Sequence, residues 1–203
     1  MIAIVTGDII RSETVDPKEW MPLLKNFLKK QGQTPGDWEI YRGDAFQLRL
    51  PPAEALFKCM LLKSIIKQKV DLDVRLSIGL GDVSYKTEKL TESNGTAFVR
   101  SGRKFDSMKE EKTTLALATG DEKTDTTLNL LARFASLIMD NWSPAAAAIV
   151  QLFLEKPEWN QQQVAEKLKI NQSAVSQSRK RAQFDLLIDF NKFYQSTITG
   201  HTT

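Results

Sequence analysis

The stretch NQQQVAEKLKINQSAVSQSRKR, Asn160 to Arg181, decides the fold class of the C-terminal part of the chain. Val164, Leu168, Ile170 and Val175 are spaced to hold two short helices against each other, and Ala165 is small enough to let them cross closely. Lys169-Ile170-Asn171 forms the turn, with Asn171 as N-cap of the second helix. Lys169 occupies the position where a left-handed backbone favours glycine; a lysine adopts that conformation at a cost of about 1–2 kcal/mol. These features describe a helix-turn-helix over 160–181, whose second helix projects outward.

Outward from this unit the pattern stays helical. Leu128 to Trp142, Pro144 to Glu155, Asn160 to Leu168 and Gln172 to about Ser196 read as four helices, with Ser143 capping the second ahead of Pro144. The last carries an apolar seam of Phe184, Leu187, Ile188, Phe190, Asn191 and Tyr194 that must be covered. Either Leu130, Phe134 and Leu137 of the first of these helices cover it, or a second copy does, giving a homodimer.

Gly120 to Thr124 is polar and marks the boundary. Before it, Met1–Val5 reads as a buried strand delivering Asp8 near its tip, followed by a helix from Pro17. Trp38–Tyr41 and Ala45–Leu50 form a hairpin around Arg42-Gly43-Asp44, and a helix runs from Ala53 to about Lys69. A strand over Asp73–Val83, a helix from about Gly95 to Met108 and a strand over Thr114–Thr119 complete a βαββαβαβ order. The expected fold class is α+β: a ferredoxin-like or cyclase-like domain over 1–120 and an all-α domain over 121–203.

Composition narrows the chemistry. The 203 residues are 41% hydrophobic and carry a net charge of +3, which suits a packed protein of ordinary solubility. The N-terminal apolar run is too short for a signal peptide or a membrane span, so no membrane partner and a cytoplasmic location are expected. Cys59 is the one cysteine and lies in an apolar stretch; His201 is the one histidine and lies in the terminal tail. No Ser-His or Cys-His pair is therefore expected, and any enzyme would work with carboxylates, metals, lysines or arginines.

Function is concentrated in two places. Gln172, Ser173, Ser176 and Gln177 open the second helix with amides and hydroxyls suited to base edges, and Arg179, Lys180 and Arg181 follow with charges suited to phosphates. DNA is the partner this implies, and a plain hairpin facing water or a protein-contact surface are the alternatives. In the N-terminal half, Asp8 and Asp44 would converge if their strands are neighbours, as a site for Mg²⁺ or Mn²⁺ with a nucleotide requires. An Asp closing a strand and a Gly-Asp in a hairpin are also ordinary turn chemistry.

Several resemblances follow from these motifs. The stretch from Gln163 to Gln177 resembles the helix-turn-helix of bacterial transcription regulators. Asp8-Ile9 and Gly43-Asp44 resemble the metal-holding motifs of class III nucleotide cyclase catalytic domains, and Val74 to Val83 is similar to a later strand of that domain. Aligned on Gly95, the resemblance puts Arg103 at a phosphate-stabilising arginine and Glu92 near a base-selecting acid. Val99 stands where that family has a ribose-orienting asparagine, and Ile40 where it has a purine-selecting lysine.

The whole chain more closely resembles the SatD family of bacterial proteins. Ile4 to Ser12, Tyr41 to Leu48, and Ser93 to Phe98 followed by Ser101-Gly102-Arg103 carry that resemblance. The combined expectation is a DNA-binding transcriptional regulator whose N-terminal domain is a sensor or degenerate nucleotide site. A metal-dependent nucleotidyl cyclase or related phosphoryl-transfer enzyme, with Arg103 as its catalytic cation, is the alternative.

Overall fold

The computed structural model describes residues 1–200; His201 lies outside the described residues. The fold is α+β, with five strands and eight α-helices among those residues. The strands are β1 (Ile2–Ile10), β2 (Trp38–Tyr41), β3 (Ala45–Leu50), β4 (Asp73–Gly81) and β5 (Leu115–Ala118). They form one mixed sheet in the order β2-β3-β1-β4-β5, antiparallel except for the β4–β5 pair. Between them run α1 (Pro17–Lys29), α2 (Ala55–Ile66) and α3 (Thr96–Glu111), which gives the βαββαβαβ order that the apolar periodicity predicts.

Alternation along the strands separates two faces. Ala3, Val5 and Ile9 of β1 and Val74, Leu76, Ile78 and Leu80 of β4 enter the main core with α1 and α2. The opposite face carries Thr6, Asp8, Arg75, Ser77 and Gly79, and α3 lies against it. A side chain at Gly79 would collide with the backbone of Ala97 and Ser101 in α3, so the close approach of helix to sheet requires glycine there. Ser101 then hydrogen-bonds Thr6 Oγ1 at 2.7 Å and the Ser77 carbonyl at 3.2 Å.

Five helices follow: α4 (Glu122–Met139), α5 (Pro144–Glu155), α6 (Gln161–Leu168), α7 (Gln172–Arg181) and α8 (Phe184–Gly200). Their apolar faces join the same core as α1 and α2. The Asn129 amide on α4 bonds both N–H and C=O of Leu117, satisfying the edge of β5 that no strand covers. Lys63 of α2 is 1% exposed and reaches Asp73 at 2.7 Å and Asp140 at 2.6 Å, tying α2, β4 and the end of α4. Among the described residues no helix is long and apolar enough to cross a membrane.

Several expectations need correction: β1 runs on to Ile10, so Asp8 lies inside the strand and not at its tip, and α4 begins at Glu122, six residues before Leu128. The single helix expected from Gln172 to Ser196 is broken: α7 ends at Arg181, Gln183 takes a left-handed φ of 51°, and α8 starts afresh at Phe184. Ala182 is buried and its carbonyl accepts from Trp142 Nε1 at 3.3 Å, a tertiary contact that local pattern does not carry. Phe184, Leu187, Phe190 and Tyr194 are buried as the seam requires, yet Leu130, Phe134 and Leu137 are 53%, 59% and 66% exposed. Leu131, Ala135 and Ile138 of α4 line the groove against α8 together with Phe134 and Leu137, whose side chains sit at its open edge.

Candidate functional site

Asn171 stands at the N-cap of α7 as expected but makes no side-chain cap hydrogen bond; the side-chain cap of the pair is at α6. Asn160 caps α6 by accepting from Gln163 N at 3.0 Å, while Gln163 Oε1 accepts from Asn160 N at 2.8 Å. Val164, Ala165 and Val175 are fully buried where the helices meet. Lys169 adopts φ 55° and ψ 45°, the left-handed turn that the sequence requires of a residue other than glycine. The Ile170 N–H returns to the Ala165 carbonyl at 3.0 Å and closes the end of α6.

Gln172, Ser173, Ser176 and Gln177 are all exposed on α7, and so are Lys180 and Arg181. Gln172 Nε2 donates to Gln161 Oε1 at 3.1 Å, which brings the first residue of α6 to the same polar edge. Lys180 and Arg181 make no ion pair among the described residues. Arg179 is committed differently: its guanidinium stacks on Phe153 at 4.8 Å and Phe184 at 5.0 Å and pairs with Asp185. It fastens α7 to α5 and α8, and of the three adjacent cations only the other two are free to meet a ligand.

The second place of interest lies at the β1–β3 end of the sheet. Register pairs Asp8 with Ala45, next to Asp44, and the Ile9 N–H reaches the Asp44 carbonyl at 3.4 Å. Both carboxylates are already engaged. Arg75 donates from Nε to Asp8 Oδ1 at 3.1 Å and from Nη2 to Oδ2 at 2.5 Å, and Ser12 Oγ donates to Asp44 Oδ2. Arg75 also lies over the Phe105 ring at 5.0 Å. Tyr41 lies at the end of β2 in the same hairpin; burial pushes its hydroxyl pKa up, with Arg42 opposing the rise and Asp8 and Asp106 adding to it.

Arg103 is exposed on α3 without an ion pair among the described residues, and Val99 is exposed on the same helix. Glu92 is paired with Lys89 at 2.8 Å. Sequence reading missed Arg75 and Ser12 as partners of the aspartates and Gln161 as a neighbour of Gln172. Arg75 alternates with Val74 and Leu76, a signal for a polar side chain on the second face. Its pairing with Asp8 needs the β1–β4 register, which no local pattern carries.

The three motif stretches from Ile4, Tyr41 and Ser93 thus fall on β1, the hairpin and the start of α3. The sequence model of the SatD family matches residues 1–194. The chain belongs to the SatD family. Those bounds reach from β1 through α7 into α8, so both candidate sites of this SatD-family chain lie within them. No curated protein and no solved structure matches the chain.

Proposed function

We propose that this SatD-family chain is a DNA-binding transcriptional regulator, in which α6 and α7 form a helix-turn-helix and α7 is the recognition helix. One observation carries the reading: Gln172, Ser173, Ser176, Gln177, Lys180 and Arg181 form an uncovered edge on a helix that holds no acidic residue. Amides and hydroxyls at its start are suited to base edges, and the two cations near its end to flanking phosphates. The 1–120 segment, of ferredoxin-like or cyclase-like order, is the sensor of this scheme, and 121–203 the effector.

Selection from random-sequence duplexes, read by fluorescence anisotropy, tests the proposal. Binding at low salt in roughly the micromolar range or tighter, with an enriched motif lost in Gln177→Ala, is the expected result. A chain that shifts no duplex overturns it and favours α7 as a protein-contact surface.

A ligand site at Asp8 and Asp44 is the second reading, favoured by the β1–β3 register that sets these residues side by side. Fit to a divalent cation is partial: Asp8 offers a carboxylate already neutralised by Arg75, and a metal would compete with that guanidinium. Asp44, whose carboxylate is held among the described residues by a serine hydroxyl alone, is the better donor. Calorimetry with Mg²⁺ or Mn²⁺ and nucleoside triphosphates, on wild type and Asp44→Ala, measures the site. Heat lost in the variant supports a sensor, and product on chromatography would make the domain a phosphoryl-transfer enzyme with Arg103 beside the phosphates. Absence of heat in wild type removes both.

A further inference from the structure

The outer face of the α4–α8 pair is apolar and uncovered. Leu130, Phe134 and Leu137 recur along α4 at helical spacing, and Leu186 and Phe193 of α8 are 57% and 44% exposed beside them. The two helices run antiparallel: Phe134 and Leu137 share a groove with Leu186 and Phe190, while Asp121 and Ile198 meet at the other end. Leu137 therefore lies across from Leu186, and Leu130, two turns back, across from Phe193.

With about 200 Å² for a fully exposed leucine or phenylalanine, these five residues present about 560 Å², in the upper part of the range for the largest apolar patch on a monomer. Closing two copies over the patch buries about 1,100 Å², above the roughly 1,000 Å² that a specific interface has to clear, before flanking residues are included. A self-complementary face of this size suits an isologous contact.

We propose that a second copy of this chain covers the face, the α4–α8 pairs of two protomers closing into a four-helix bundle. Charge selects its axis. Arg133 flanks the stripe on α4, exposed and without an ion pair among the described residues, and the antiparallel register sets it level with Asp189 on α8, whose own partner, Lys192 at 3.2 Å, is a solvent-exposed i,i+3 pair of little strength. A two-fold axis along the helices lays α4 over α8 of the second copy and brings each Arg133 to an Asp189. An axis across the helices lays α4 on α4 and sets the two Arg133 charges together at its centre.

The favoured axis also keeps both α7 helices at one end of the bundle. Ser178 and Arg181 lie there beside Leu137, Asn141 and Trp142. Two recognition helices facing one duplex is a consequence that rests on the DNA-binding reading; the dimer itself does not.

Sedimentation equilibrium of the full chain up to about 100 µM tests the dimer. Wild type is expected at twice the 22.9 kDa chain mass, and Phe134→Glu and Leu186→Lys, both at exposed positions, at the single-chain mass with unchanged circular dichroism. A monomeric wild type overturns the proposal, as does a dimer that survives both changes. Arg133→Asp and Asp189→Arg should each weaken the dimer and together restore it; failure to restore overturns the chosen axis. Lys180→Ala with Arg181→Ala should lose DNA and keep the dimer mass, so that failure of DNA binding and failure of dimerisation are read separately.

Discussion

Arg179, Lys180 and Arg181 are adjacent cations that the structure divides into two kinds, and alanine replacement should separate them. Lys180 and Arg181 are exposed and unpaired among the described residues, so their joint loss should leave folding intact. If each contacts one phosphate, the slope of log Kobs against log salt should flatten by about 1.8, from about 0.9 per phosphate. Affinity should fall on the order of tenfold per cation for every duplex sequence, since phosphates carry no base identity.

Arg179→Ala should act on stability instead. It removes two ring contacts, at 4.8 and 5.0 Å, and an ion pair whose aspartate is 78% exposed. The rings contribute about 0.5–1 kcal/mol each and the exposed pair little, so about 1–2 kcal/mol is at stake. For a chain of this length that lowers Tm by roughly 2–8 °C. Anisotropy at several salt concentrations and thermal melts on the same proteins measure both effects. An Arg179→Ala variant that melts as wild type, or a double variant with the wild-type salt slope, would refute the division.

Three further outcomes follow from the fold. Lys63→Ala removes the buried cation between Asp73 and Asp140, leaving Asp73 with Lys67 at 3.5 Å and Asp140 with the Thr114 hydroxyl, and should cost on the order of 2–3 kcal/mol in urea unfolding. Lys169→Val forces a β-branched residue into φ 55° and should destabilise by on the order of 1–2 kcal/mol, whereas Lys169→Gly should not. Cys59 is 3% exposed and burial pushes its thiol pKa well up, so Ellman's reagent at pH 8 should leave the native chain unlabelled and react after denaturation.

The strand and helix order of the first 120 residues was legible because alternation and helical spacing of apolar residues act locally. The cap at Ser143 and the left-handed turn at Lys169 were legible for the same reason: each is set by residues within one turn. What the sequence hid depends on partners far along the chain. Arg179 reads as one more cation until Phe153, from α5, is found beneath it. Asp8 reads as a free carboxylate until the β1–β4 register supplies Arg75. The break after Arg181 hid behind an apolar pattern that continues almost in phase, and the tertiary contact found there comes from Trp142, 40 residues away from the carbonyl it binds. The exposed stripe on α4 hid because that helix is apolar on more than one side, and only packing reveals which side meets α8.

Backbone amide shifts of the nitrogen-15-labelled chain, recorded as duplex DNA is added at low salt, test the role of α7 most directly. If α7 enters a groove, the changes concentrate on residues 161–181, are largest at Gln172, Ser173, Ser176 and Gln177, and weaken as salt rises. An unchanged spectrum, or changes gathered on another surface with α7 silent, would contradict it.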